Sequence, residues 1–599
     1  MSRHTKGMEH RLQVAFAVLV VGLLVLLVRT GYMQVFGAEN IALRAHDQHF
    51  DLVELDATRG RVFDRNGRIL AGSYYGITVA VDPQRVEDAD LFATRLALVI
   101  GDVDAAPGFA KRIRSRKAAG SRYAVLHRGL DRDVAERLAA ARLAGLDLRE
   151  EARRVYPHQN AAIQLLGLFG GAGDPKQRAG LGGLEAHFDS RLRGLDGSRD
   201  ALMLLRRSDG RVKREEHLLY PERCRPARGG LDLHTTIDVT LQQIAEEALD
   251  EMHERHSPKR SCAVAMDPRT GEILAIASRP TFKLADWPRV DRESLKVQAI
   301  EWCYEPGSTI KPLILAAALS EGVVRPGQQI DCGTSGRHRF GRRLLQDTHP
   351  NGVLELADLL VKSSNIGMGQ VAQAMGSARL HRWLRAYGFG SRIGLPLSGE
   401  SAGVVLKLER WKTNYEDVSA GIGYGVAVTP VQLLSAYAAV ITDGVLRKPR
   451  LIRDADCSTD HGPGRPLDLS RVERDFVRRA MGRVVAEGTD TLARIPDWPV
   501  GGKTGTSKKY PLHLKRYVAS FVGFAPVEDP QILVLVAADE PTRKDGGIPY
   551  GRVVAMRAAG RFLRRARPLL ESKHEEALSR SGVRHVTNHA ELVRVAAVK

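Results

Sequence analysis

The 599-residue chain is predicted to be an α+β protein: one N-terminal transmembrane helix, then a domain rich in strands, then a larger domain of mixed sheet flanked by helices. Three observations predict it. An apolar run opens the chain, and strand-like pieces around a tight turn follow. Near Leu231 the texture then changes to an amphipathic helix, a hairpin, long helical stretches and closing strands. The length exceeds one ordinary domain, and 43% hydrophobic with 27% charged residues is the balance of a globular protein with a substantial core.

The opening run, LQVAFAVLVVGLLVLLV at 12–28, contains one polar residue, Gln13. At about 1.5 Å per residue it nearly spans a bilayer's hydrocarbon core. Thr30, Gly31, Tyr32 and Met33 extend it if Arg29 snorkels to the interface. Arg3, Lys6 and Arg11 precede it, which by the positive-inside rule keeps the N-terminus cytoplasmic. The run is long for a cleaved signal peptide and no small-x-small site follows it. The expectation is a cytoplasmic tail over 1–11 and a retained anchor over 12–33, with all that follows outside the inner (cytoplasmic) membrane. Ala15, Ala17 and Gly22 offer points where another helix can approach closely.

After the anchor, RGRVFDRNGRILA at 59–71 places Asn66-Gly67 between short apolar runs, a hairpin signal. Residues 84–150 read as polar helix, with Phe92, Leu96, Val99 and Ile100 at helical spacing. Leu184, Phe188 and Leu192 predict a short helix that Gly194 and Gly197 stop. Beyond Leu231, the residues Leu241, Ile244, Ala245, Ala248, Leu249 and Met252 form one apolar helix face, with Asp238 as N-cap. SCAVAMDPRTGEILAIAS is two apolar runs about residues 267–271, a hairpin, and YVASFVGFA is expected to pair with QILVLVAAD. From about Pro568 the chain is polar with no evident fold.

Lys and Arg exceed Asp and Glu by 19, but they are spread along the chain beside no helix-turn-helix, zinc-finger or RNA-binding signature. Nucleic acid is therefore not an expected partner; the balance suits an anionic membrane face or polymer. The five cysteines, Cys224, Cys262, Cys303, Cys332 and Cys457, show no C-x-x-C spacing, so no metal site is expected.

Three short motifs carry the chemistry. EPGSTIKP places Ser308 in the first turn of a helix and Lys311 three residues on, on the same face. A serine hydroxyl needs a base, and a lysine serves only when neutral, which burial and a nearby cation favour. The helix start also offers N–H groups to an oxyanion. KSSN supplies Ser363 and Asn365, and KTGT supplies Lys503, Thr504, Gly505 and Thr506 before a strand. Lys503 is expected beside Lys311, and Gly505 is expected to let a substrate backbone approach. Each motif alone has an ordinary reading as a surface pair, a helix cap or a turn. In this order, 55 and 140 residues apart, they match the signature of penicillin-recognising serine enzymes.

The wider resemblance, over about residues 10–560, is to the class B, monofunctional penicillin-binding proteins. The segment at 59–71 resembles their R-G-x-x-x-D-R-N-G-x-x-L-A motif, so Arg59, Gly60, Asp64, Arg65 and Gly67 carry over as pedestal-organising residues. Arg154 with Tyr156-Pro157, and Glu185 in GGLEAHFD, resemble the second and third pedestal motifs. GIGYGVAVTPVQL is similar to the family's S-F-G-Y-G-x-x-V-T-P-x-Q-L. The chain departs at Gly182, where many members have Glu, and at Gly421, where Ser is usual. Ser507 replaces a common Ala, and Met556-Arg557 stands where relatives carry Ala-Pro.

The resemblance implies an elongated, mainly-β, dimerisation-type pedestal over 34–235, a transpeptidase domain over 236–567 and a polar tail over 568–599. It implies D,D-transpeptidation of peptidoglycan stem peptides ending in D-Ala-D-Ala, and reaction with β-lactams, without cofactor or metal. Ser308 would be the nucleophile, with the N–H groups of Ser308 and Thr506 as oxyanion donors. Ser363 and Lys503 would relay the leaving-group proton, and Asn365, Thr504, Gly505 and Thr506 would bind the donor. A membrane-embedded glycosyltransferase and divisome proteins are the implied partners. Residues 155–200 lack the longer insertion associated with elongation enzymes, which favours the septal, division-specific type over the elongation type. A β-lactamase has no use for the pedestal. Eleven residues ahead of the anchor leave no room for a sensor's cytoplasmic part, and no paired acidic motif of a glycosyltransferase precedes residue 235.

Overall fold

The computed structural model describes residues 2–35, 50–55, 57–170, 179–204, 213–214, 225–287, 289–412, 415–453, 462, 464–488 and 492–581. Cys224, Cys457 and the last part of the expected tail lie outside the described residues. The opening helix is Ser2–Val35. Its stretch His10–Gln34, with mean hydropathy 2.6, is the one helix among the described residues that is long and apolar enough to cross a membrane.

The chain divides into two compact units. One comprises Met1–Arg59, Tyr75–Arg153 and Arg193–Gly230; the other comprises Gly60–Tyr74, Arg154–Leu192 and Leu231–Lys599. The pedestal-type motifs at Gly60, Arg154 and Glu185 therefore fold with the unit that carries the three catalytic-type motifs.

In the first unit, the strands Phe50–Leu55 and Gly197–Leu204 pair antiparallel. Helices Ala89–Ile100 and Ala106–Ala118 pack against the strand Ala124–Leu130 around Phe92, Leu96, Phe109, Ile113 and Leu126. The all-helical expectation for 84–150 is corrected here: Ala124–Leu130 and Leu146–Val155 are strands. In LDLREEARRV, charged residues stand on both faces, which hides the period-two pattern that marks a strand.

In the second unit, a five-stranded sheet has the order Ile273–Arg279, Arg260–Met266, Ile532–Asp539, Tyr517–Ala525, Gly501–Lys508, each pair antiparallel. Parallel pairing occurs in a smaller sheet, between Leu233–His234 and Val62–Phe63. Successive side chains on a strand point to opposite faces, and here both faces are buried. Cys262, Val264, Leu533 and Leu535 face one core, while Ala263, Ala265, Val534 and Val536 face another. The two-sided burial explains the continuous apolar runs. Helices Val239–His256 and Ala555–Ser581 cover the second face. Lys311–Ser320, Asn365–Ala386 and Pro430–Ile441 belong to the first core. Asp238 caps its helix as expected, with Oδ1 accepting from the N–H of Thr240 and Leu241.

A second correction concerns the tail. The helix Ala555–Ser581 continues through Pro568. Leu569 and Leu570 pack against the second core, and Arg567 pairs with Glu571 at 2.7 Å one turn on. This apolar contact outweighs the hydrogen bond a proline removes.

Candidate active site

The serine turn is held from three sides. Gly307–Ile310 is a 3₁₀ turn running directly into the helix Lys311–Ser320. From the GYG segment, Gly423 O accepts from Gly307 N at 3.1 Å, and Glu305 Oε1 accepts from Gly425 N at 2.8 Å. Tyr437 Oη, on the helix Pro430–Ile441, donates to Thr309 O. From the edge strand Gly501–Lys508, Gly505 lies so close that a Cβ there would come 2.8 Å from Pro306 O and 2.9 Å from Thr309 Cγ2. The missing side chain of Gly505 thus makes room for the serine turn. This differs from the expectation that it makes room for substrate.

Lys311 and Lys503, both buried, converge on Ser363. Lys311 Nζ donates to Ser363 O at 2.7 Å, to Ser363 Oγ at 3.4 Å and to Asn365 Oδ1 at 2.8 Å. Lys503 Nζ reaches Ser363 Oγ at 3.0 Å. Ser308 itself is half-buried, and its hydroxyl makes no hydrogen bond among the described residues. Catalytic hydrogen bonds commonly tighten only when substrate is bound. Burial, then the positive charge of Lys503, holds the Lys311 ammonium well below the ordinary lysine range, while Asp347 pulls it back up. Burial alone pushes Lys503 down to about 7.

Ser363 adopts a left-handed backbone, φ +55°, which a non-glycine residue holds only when its surroundings impose it. It follows the short helix Asp358–Val361, with Ser363 N donating to Leu360 O and Ser364 N to Leu359 O, and the next three residues are held by a carboxylate that no sequence motif flags. Asp347 Oδ2 accepts from Ser364 Oγ at 2.6 Å, and its Oδ1 accepts from the N–H of Asn365 at 2.5 Å and of Ile366 at 3.0 Å. Ser364 Oγ in turn accepts from Gly367 N, capping the helix Asn365–Ala386. Gln346 O takes the Asn365 amide at 2.7 Å. The segment RRLLQD has no apolar-polar alternation to mark its strand.

Thr504 and Thr506 lie on the edge strand, half-buried; Thr506 Oγ1 accepts from Gly551 N at 3.0 Å. Of the departures noted above, Gly421 has a steric reason: a Cβ there would stand 2.3 Å from Ala372 Cβ. Nothing in the structure explains Gly182. The pedestal-type residues also converge: Arg154 pairs with Glu185 at 2.6 Å, both buried, and donates to Gly60 O at 2.6 Å. Cys262, Cys303 and Cys332 are unpaired thiols.

Residues 261–556 match the penicillin-binding protein transpeptidase domain, and residues 54–222 match the penicillin-binding protein dimerisation domain. Stage V sporulation protein D of Bacillus subtilis (strain 168) is 31% identical over 584 residues, covering 93% of this chain and 85% of that protein. The probable peptidoglycan D,D-transpeptidase PenA of Neisseria meningitidis (strain MC58) is 30% identical, covering 90% and 89%. Peptidoglycan D,D-transpeptidase FtsI of Escherichia coli (strain K12) is 27% identical, covering 94% and 92%. Two domain matches in tandem, and similarity along nearly the whole chain, lead to one conclusion: the chain belongs to the class B penicillin-binding proteins, a family of D,D-transpeptidases.

Proposed function

We propose that the chain is a serine D,D-transpeptidase that cross-links peptidoglycan stem peptides at the division septum through an acyl-enzyme on Ser308. The observation that carries this reading is the meeting of two buried lysines on Ser363, one helical turn from a serine at a helix start. Two ammonium groups in one buried site cannot both stay charged at neutral pH, so one is a base.

Ser308 Oγ gives its proton to neutral Lys311 Nζ and bonds to the penultimate D-Ala carbonyl carbon. The oxyanion takes hydrogen bonds from the N–H groups of Ser308 and Thr506. As the intermediate collapses, the C–N bond breaks. The departing D-Ala amine receives a proton through Ser363 Oγ, replenished from the lysine pair. An amine from a neighbouring stem then attacks the ester, loses a proton back along the same relay, and releases Ser308. Asn365 and Thr504 or Thr506 hold the donor and its terminal carboxylate.

The compact run at 155–200 supports the septal type, and a fluorescent fusion concentrated at midcell tests it; uniform labelling of the side wall would favour elongation. The absence of a recognisable polymerase motif supports a glycosyltransferase partner. Replacing residues 12–28 by an unrelated helix tests whether the anchor contributes to that contact. The activity itself is tested with fluorescent penicillin and with D-Ala release from a D-Ala-D-Ala peptide. Both require Ser308 and fail in Ser308→Ala; penicillin retained on another serine refutes the assignment.

A further inference from the structure

Beside the serine turn stands a cation that the proposed mechanism leaves unused. Arg343 lies on the strand Arg343–Gln346, whose last residue receives the Asn365 amide. Its guanidinium carbon lies 5.5 Å from the ring centre of Tyr415 and 5.9 Å from that of Tyr424. Its Nε is buried without an acceptor, and among the described residues its side chain makes no hydrogen bond and no ion pair. Glu305, the acidic group that feels its charge, spends Oε1 on Gly425 N. Stacking between rings fixes a guanidinium while leaving its planar donor fork unspent, the arrangement that suits a carboxylate.

The direction of the donor strand gives this cation a place. The leaving amine must take its proton near Ser363 and Lys503, so the terminal D-Ala occupies the Lys503 end of the edge strand. The preceding stem residues then run toward Lys508. Tyr424 marks that end, because its Oη accepts from Lys508 N at 3.1 Å. We propose that Arg343 is a specificity residue of the cleft, binding a carboxylate that the donor stem peptide carries on the amino side of its terminal D-Ala-D-Ala. This rests on the transpeptidase reading above. It adds one claim: the enzyme selects donors with an anionic group upstream of the scissile bond.

Penicillins test it, because their acyl side chain occupies the upstream donor position. Benzylpenicillin and α-carboxybenzylpenicillin differ by one side-chain carboxylate. The readout is the ratio of their acylation rate constants, carboxylated over plain, on the full chain in detergent. Losing one charge-assisted contact is worth roughly 10- to 100-fold, and Arg343→Gln is expected to lower the ratio by that much. The fall should persist at high salt, where long-range attraction is screened. A ratio unchanged in Arg343→Gln, or a fall abolished by salt, overturns the proposal. Should that variant fail to fold, Arg343→Lys keeps the charge without the fork; a several-fold fall supports the assignment and an unchanged ratio overturns it. A wild type that neither penicillin acylates refutes the transpeptidase reading itself, a result distinct from normal acylation with a ratio indifferent to Arg343.

Discussion

The two faces of the five-stranded sheet are equally dry and chemically opposite. On one, Ala265, Phe521, Val534 and Val536 meet the helices Val239–His256 and Ala555–Ser581 in a mainly apolar core, where the buried Gln242 is satisfied by the backbone of Ile276. At the edge of the other stand two buried lysines, a buried helix cap and a serine in a left-handed conformation. Burial on the first face stabilises the fold through apolar area. At the edge the same burial works against it, because it penalises the charge on each lysine, and in the proposed mechanism that penalty keeps Lys311 neutral. The difference teaches where this chain holds its conformational and electrostatic strain: at Ser363, Lys311 and Lys503, supported by Asp347 and by a rigid sheet behind them.

The contrast breaks most sharply at Lys311. Lys311→Met should lower penicillin acylation by about 100- to 10,000-fold, the scale of general-base loss, and yet raise the melting temperature. The fold disfavours protonated Lys311, whose ordinary value is 10.5. The penalty is therefore present at neutral pH and fades as pH rises through the unfolded-state value. The gain in Tm should shrink between pH 7 and pH 10.5 accordingly. A loss of stability at neutral pH would mean the hydrogen bonds to Ser363 and Asn365 outweigh burial. On the opposite face the signs reverse. Phe562→Ala removes a fully buried ring from the second core and should destabilise by about 3–5 kcal/mol, with acylation per folded molecule unchanged. Denaturant unfolding with active-site titration reads both quantities.

A smaller effect sharpens the comparison at the boundary between helix and site. Gly421→Ser restores the common family residue into a space that Ala372 Cβ occupies. It should destabilise by about 1–3 kcal/mol as overpacking does, and Ala372→Gly should recover most of that in the double variant. Independent, additive losses would show that the two side chains do not compete for the same space.

Much of this was legible in the sequence because it depends on local pattern. Asp238 capped its helix, residues 267–271 turned the hairpin, and the last two strands paired as their apolar runs required. The serine, S-x-N and K-T-G-T motifs are likewise local, and the lysine meeting at Ser363 follows from them. What stayed hidden depends on tertiary neighbours. Asp347 is one acid among 70 acidic residues until the fold sets it under Asn365. Gly505 looks like a substrate opening until the serine turn is seen against it. The stretch after Pro568 reads as a polar tail without a fold because the apolar contact that holds it as helix is tertiary. The strand Leu146–Val155 was obscured by its own charges.

The central claim is that a neutral Lys311, kept so by burial and by the charge of Lys503, activates Ser308. The most direct measurement is the pH dependence of penicillin acylation in wild type and Lys503→Ala. Lys503, pushed down to about 7, is charged on the acid side of that value, where it depresses its neighbour. Removing it lets the Lys311 pKa rise, so less of Lys311 is neutral at a given pH. The acid limb of the profile should therefore move to higher pH as the rate falls. An acid limb that stays where it is, whatever the drop in rate, would contradict the coupling and leave Lys503 with a binding role alone.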